Sequence, residues 1–140
     1  MNAEPIRIML VDDHSLVRES WKILLESNPR IKVIADCETS HMALELVSSL
    51  DPDIILLDIN ITPVNGYQLA RQLLEKKPRV KIIGLSVNHL PKNATQMLEA
   101  GGKGFLTKTS TLDEIIAGII AVHRGEIYIC QEIRRNLPPA

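Results

Sequence analysis

"DIILLDINIT", residues 53–62, sets Ile54, Ile55, Leu56 and Leu57 directly before Asp58. A run of Ile and Leu without polar alternation is the pattern of a strand covered on both faces. An ionised carboxylate without a partner is costly to bury. The stretch therefore reads as a buried strand that gives out at Asp58, with the acid at the rim of a sheet rather than in its core.

Four further runs have the same character: "IRIMLV" (6–11), "IKVIADC" (31–37), "VKIIGLS" (80–86) and "GFLT" (104–107). Between them lie amphipathic stretches. "HSLVRESWKILLES" places Leu16, Val17, Trp21, Leu24 and Leu25 at helical spacing, and "TSHMALELVSSL" does the same with Met42, Leu44, Leu46, Val47 and Leu50 behind an N-cap at Thr39 or Ser40. Helices are also predicted for "YQLARQLLEKK", for "PKNATQMLEA" with Pro91 in its first turn, and for "TLDEIIAGIIAVHRG" with Ser110 or Thr111 as N-cap. Asn28-Pro29, Asp51-Pro52 and Lys77-Pro78 supply turns. Five strand–helix repeats of this length predict an α/β fold: an open parallel sheet with right-handed crossovers and helices on both faces.

The bulk composition narrows the function classes. A chain of 140 residues, 45% hydrophobic, suits one domain with one core. Sixteen Lys and Arg against seventeen Asp and Glu give a formal net charge of -1, so no overall field draws the domain to nucleic acid or to an anionic membrane. Cys37 and Cys130 are far apart and lack CxxC spacing, which argues against a disulfide framework or a zinc site and favours a reducing cytoplasmic location. No signal-peptide pattern opens the chain, and no run approaches the roughly 20 apolar residues of a membrane span.

Ligands of open α/β sheets bind beyond the carboxyl ends of the strands. There the first strand delivers Asp12 and Asp13, the third Asp58, the fourth Ser86, and Lys108 follows the fifth. Taken singly, such residues suit caps, turns and solvated charges. Four of five strand ends carrying complementary groups to one rim point instead to a site. Clustered carboxylates need a counter-charge, which Lys108 offers in part. Hard oxygen donors from two strands suit Mg²⁺, which is commonly shared with a phosphate.

These residues carry a resemblance. "LVDDH" with Asp12 and Asp13, "LLDINITPVNG" with Asp58 and Gly66, "GLSV" with Ser86 and "GFLTK" with Phe105 and Lys108 together resemble a response-regulator receiver domain of bacterial two-component signalling, over residues 5–125. The resemblance implies a flavodoxin-like (βα)5 three-layer sandwich with a five-stranded sheet in the order 2-1-3-4-5. It implies that Asp58 accepts a phosphoryl group from a sensor histidine kinase, making the protein a signalling phosphoacceptor rather than an enzyme. Asp13, Asp58 and the backbone carbonyl of Asn60 would hold Mg²⁺ (or Mn²⁺), with Asp12 acting through the water shell. Lys108 would hold the acyl phosphate, Ser86 would turn to a phosphoryl oxygen, and Phe105 would rotate inward as a switch.

"DDHSLVRES", "LSV" and the Lys108-Thr109 junction most resemble the NarL/FixJ subfamily, whose members carry a LuxR-type helix-turn-helix. That implies transcriptional output through a DNA-binding domain not in this chain, with homodimerisation on phosphorylation. The division expected is a receiver over 1–125 and a linker-like tail over 126–140, which holds a brief extended piece and a helical turn or two. Excision from a longer regulator is favoured over a stand-alone receiver acting by protein contact. Ile61-Thr62-Pro63 departs from the Met-Pro common after the phosphoacceptor, and Thr109 replaces the proline that often follows the lysine in a cis bond, so the expectation there is a trans bond, or a cis bond whose strain the site compensates. His14 is expected to begin the first helix and only border the pocket. His41, His89 and His123 lack ligand spacing, and Trp21 is expected to pack in the core. A nucleotide-binding flavodoxin-like protein would need a phosphate-cradling loop where "VDDHSL" offers acids.

Overall fold

The computed structural model describes residues 4–137. Five strands run β1 (Ile6–Val11), β2 (Ile31–Cys37), β3 (Ile54–Asp58), β4 (Lys81–Ser86) and β5 (Gly104–Thr107). They alternate with α1 (Ser15–Glu26), α2 (Ser40–Leu50), α3 (Gly66–Lys76), α4 (Pro91–Glu99) and α5 (Leu112–His123). All pairings are parallel. The sheet order is β2-β1-β3-β4-β5-β6, where β6 is the two-residue strand Tyr128–Ile129, followed by the short helix α6 (Gln131–Arg134). The expected five-stranded order is thus present and extended by one strand.

The buried runs explain the layering. Every residue of β3 is buried, and Ile54, Ile55, Leu56 and Leu57 have no solvent exposure. Each such side chain contributes about 1.5–3 kcal/mol of transfer free energy. Central position in the sheet follows, with β1 on one side and β4 on the other. Trp21 is buried on α1 as expected, whereas Leu16 and Leu24 on the same helix are exposed. The apolar stripe of α1 is therefore narrower than its composition suggests, its buried residues being Trp21 and Leu25.

Caps fix where helices begin. The Thr39 hydroxyl accepts from the Met42 amide, the Asn65 side chain from Gln68, and the Thr111 hydroxyl from Glu114, each satisfying a donor with no partner inside the helix. Pro91 opens α4, where a missing N–H costs nothing. At the opposite end of the fold, Arg7 donates to the carbonyls of Leu50 and Asp51 at the C-terminal end of α2, and Lys81 to that of His123 at the end of α5. Cations there oppose the negative ends of the helix dipoles.

The segment after α5 is integral to the packing. The Tyr128 amide donates to the Lys103 carbonyl and the Cys130 amide to that of Phe105. Cys130 and Ile133 are completely buried. Glu114 on α5 accepts from the Tyr128 hydroxyl and the Gln131 amide, so the brief strand and helical turn are tied to β5 and α5.

Candidate functional site

The carboxyl ends of β1, β3 and β5 converge. Asp58 closes β3 and is 2% exposed, so it lies buried at the strand end rather than on an open rim. The expectation drawn from burial cost is corrected by Lys108, which arrives just beyond β5. Its Nζ lies 3.2 Å from Asp58 Oδ2 and 2.5 Å from Asp12 Oδ2. The other Asp58 oxygen, Oδ1, accepts the Asn60 amide at 2.9 Å. Burial acts to lower the Lys108 pKa, but hydrogen bonding and charge attraction from Asp12 and Asp58 outweigh it, so the ammonium sits above its ordinary value.

Asp12 is likewise buried, and its two oxygens have different surroundings. Oδ1 accepts the His14 amide at 2.9 Å and meets His14 Nδ1 at 3.0 Å. Oδ2 is buried and pairs with the Lys108 ammonium at 2.5 Å. Asp13 is half-exposed, and its Oδ1 lies 3.0 Å from the same imidazole nitrogen. Ligand atoms of Asp12, Asp13, His14 and Asp58 all lie within 4.8 Å of one another. Three carboxylates gathered around a single ammonium leave uncompensated negative charge and oxygen donors that fit a hard divalent cation. Exposed Asp13 and Asn60 form the open lip of the site.

The loop after β3 is held by backbone approach. An added Cβ on Gly66 would lie 2.5 Å from Ile59 Cα, and the Gly66 amide donates to the Ile59 carbonyl. Glycine at the start of α3 thereby lets the helix close onto the loop that presents Asn60. The Thr62-Pro63 bond is cis, whereas the Lys108-Thr109 bond is trans, the first of the two isomers the sequence left open. The Lys108 amide donates to the Ser86 carbonyl, tying the lysine to the end of β4.

Ser86 and Phe105 are placed less simply. Ser86 Oγ is buried and engages Asn88, donating to Oδ1 at 3.3 Å and accepting the amide at 3.1 Å, so it faces the β4–α4 loop rather than the carboxylates. Phe105 is fully buried, its ring packed over Gly84, where an added Cβ would lie 2.8 Å from ring carbon Cδ2. The inward position is therefore already occupied while Ser86 remains turned away.

Residues not singled out from the sequence complete the surroundings. Arg18 bridges the Asp12 carbonyl and Asp36. Asn93 links Asn88 to the Tyr67 hydroxyl, joining α3, α4 and the Ser86 loop. Glu132 on α6 accepts from the Thr107 hydroxyl and lies 3.4 Å from His89 Nδ1. Asn88 follows Ser86 by two residues, a spacing at which a serine hydroxyl accepts the amide in an ST turn; Glu132 carries no comparable local signal.

The family described as response regulator receiver domain matches residues 8–120. The chain belongs to that family. Among its relatives, the transcriptional regulatory protein DegU of Brevibacillus brevis is 37% identical over 137 residues, covering 98% of this chain and 58% of DegU. The nitrate/nitrite response regulator protein NarL of Escherichia coli K12 is 31% identical over 132 residues, covering 94% of this chain and 61% of NarL. This receiver thus spans about three-fifths of the length of those relatives. Among solved structures, a LuxR-family two-component response regulator from Aurantimonas superposes with a TM-score of 0.90 at 29% identity, over 94% of each chain. The signal receiver domain of a NarL regulator from Mycobacterium tuberculosis gives 0.83 at 29% identity, over 89% of this chain and all of that one. The flavodoxin-like fold and the kinship with NarL-type and LuxR-type receivers follow. No helix among the described residues is long and apolar enough to cross a membrane.

Proposed function

We propose that this receiver works as a phosphoacceptor switch, with Asp58 taking a phosphoryl group from a sensor histidine kinase. The observation that carries the reading is the buried Asp58 carboxylate held between the Asn60 amide and the Lys108 ammonium, with Asp12 alongside. In the transfer, an oxygen of Asp58 forms a bond to phosphorus as the bond from phosphorus to the kinase imidazole nitrogen breaks. The imidazole leaves with that electron pair and takes up a proton. Asn60 and Lys108 orient the carboxylate, and Lys108 places positive charge beside the transferring oxygens, so the protein contributes positioning and electrostatics.

Asp13, Asp58 and the Asn60 carbonyl would hold Mg²⁺ (or Mn²⁺), with Asp12 acting through the water shell. When bound, such an ion offsets charge on the phosphoryl oxygens. Ser86 would leave Asn88 to hydrogen-bond the new phosphoryl group, and Phe105 with the Ser86 loop would form the two-state element. The same groups would assist loss of the phosphoryl group, without making the protein an enzyme acting on other molecules. The relatives named transcriptional regulators support transcriptional output through a further DNA-binding domain and a cytoplasmic location.

Intact-mass spectrometry after incubation with acetyl phosphate and Mg²⁺ tests the proposal. A single phosphoryl adduct that disappears in Asp58→Asn and without metal supports it. An undiminished adduct in Asp58→Asn contradicts the assignment of the acceptor.

A further inference from the structure

Resting on the phosphoacceptor reading above, we infer that Asn93 and Tyr67 are positioning residues of the switch: through Asn88 they hold Ser86 turned away from Asp58 and so set a resting bias against phosphorylation. Ser86 Oγ makes two contacts with Asn88, donating to its side-chain oxygen at 3.3 Å and accepting its amide at 3.1 Å. Asn88 itself is exposed, and water competes for an exposed side-chain amide. Its place over Ser86 therefore needs a support.

That support comes from α4 and α3. Asn93 lies on α4 and is 7% exposed. Its Nδ2 donates to Asn88 Oδ1 at 2.8 Å, closer than the other two donors to that oxygen, Ser86 Oγ and the Leu90 amide, both at 3.3 Å. Asn93 Oδ1 accepts from the Tyr67 hydroxyl of α3 at 3.3 Å. Each direction is forced. The Leu90 amide can only donate, which fixes the Asn88 oxygen; that oxygen can only accept, which fixes the Asn93 nitrogen; and the Asn93 oxygen left over takes the Tyr67 proton. Ser86 is thus tied through Asn88 to two helices, and the relay holds one arrangement because cutting it leaves polar groups of the buried Asn93 unpaired.

The consequence is a bias in the switch. Turning Ser86 towards a phosphoryl group on Asp58 breaks both of its contacts with Asn88. Releasing Asn88 beforehand removes part of that cost, so variants that cut the relay are phosphorylated faster, and only by way of Ser86. A buried asparagine that served the packing of α4 alone would act equally with and without the serine hydroxyl.

The rate of phosphorylation by acetyl phosphate with Mg²⁺, followed by intact mass, tests this in Tyr67→Phe and Asn93→Ala, each made with Ser86 present and in a Ser86→Ala background. Tyr67→Phe removes one hydroxyl and keeps the ring, so it decides the matter should Asn93→Ala fail to fold. The inference predicts a rise of about two- to tenfold in either variant, the range of one neutral hydrogen bond, and no rise in the Ser86→Ala background. In ¹H–¹⁵N spectra of the unphosphorylated variants, the amides of Asn88 and Lys108, which donate to the Ser86 hydroxyl and carbonyl, should move towards their positions in the wild type bound to beryllium trifluoride, a phosphoryl mimic. Unchanged or lower rates with Ser86 present, an equal rise without it, or amides that stay at their wild-type positions overturn the positioning role while leaving Asp58 as the acceptor. No adduct on the wild type, or one undiminished in Asp58→Asn, overturns the phosphoacceptor reading itself.

Discussion

Replacing Lys108 by methionine isolates the electrostatics of the site. The lysine side chain is 9% exposed, and its Nζ lies 2.5 Å from Asp12 Oδ2 and 3.2 Å from Asp58 Oδ2. At an effective dielectric of about 20, those distances correspond to gross attractions of roughly 7 and 5 kcal/mol. Desolvation of three charged groups consumes most of that. What the variant exposes is the remainder: two neighbouring buried carboxylates without their cation, a loss of about 3–5 kcal/mol. Urea unfolding in the presence of a chelator, followed through the buried single tryptophan Trp21, measures it as a lower midpoint at unchanged slope. Adding Asp12→Asn to Lys108→Met should recover part of the loss, because one of the stranded charges is gone, and the cycle yields the coupling. A loss below about 1 kcal/mol, the range of exposed pairs, would refute the reasoning.

Three further outcomes follow from the packing. Ile133→Ala should cost about 2–5 kcal/mol in the same unfolding assay, whereas Arg135→Ala, on the exposed side of the same segment, should change stability by no more than about 0.5 kcal/mol; a tolerated Ile133→Ala would show that α6 does not contribute to the core. Gly66→Ala forces a methyl to within 2.5 Å of Ile59 Cα and should destabilise by about 1–3 kcal/mol or more, with lower phosphorylation yield because the Asn60 loop must move; a normal melt and yield would contradict the packing. Burial, then the charge of Asp36, pushes the Cys37 thiol from 9.0 up to about 12. The unfolded chain ionises first, so this contribution is present below pH 9.0 and is lost as pH rises towards about 12. Between about pH 8 and about pH 10 the wild type should therefore lose more stability than Cys37→Ala, at up to about 1.4 kcal/mol per pH unit; parallel pH profiles would refute it.

The sheet was legible because parallel strands buried on both faces leave a signature in composition. The runs at 6–11, 31–37 and 104–107 coincide with β1, β2 and β5, and Asp58 falls at the last position of β3. The three acids and the lysine were legible because strand ends share one edge of an open sheet. The burial of Asp58 was not, since it depends on a lysine fifty residues later folding back over the carboxylate. Similarly, "IYICQEIRR" alternates too briefly to reveal that Cys130 and Ile133 are completely buried, because β6 gains its register only from β5. His14 borders the pocket, and one ring beside two acids has no spacing signal that says which of them it touches. Its contact with both is a matter of side-chain direction, which the turn between β1 and α1 determines.

Chemical mapping of the acceptor tests the central claim most directly. Borohydride reduces an aspartyl phosphate to homoserine, so reduction after incubation with acetyl phosphate and Mg²⁺, followed by peptide sequencing in a mass spectrometer, marks the residue that carried the phosphoryl group. The account predicts homoserine at position 58 and at no other acid, Asp12 and Asp13 included. Homoserine at Asp12 or Asp13 with Asp58 intact, or no conversion under conditions that label a known receiver, would contradict it.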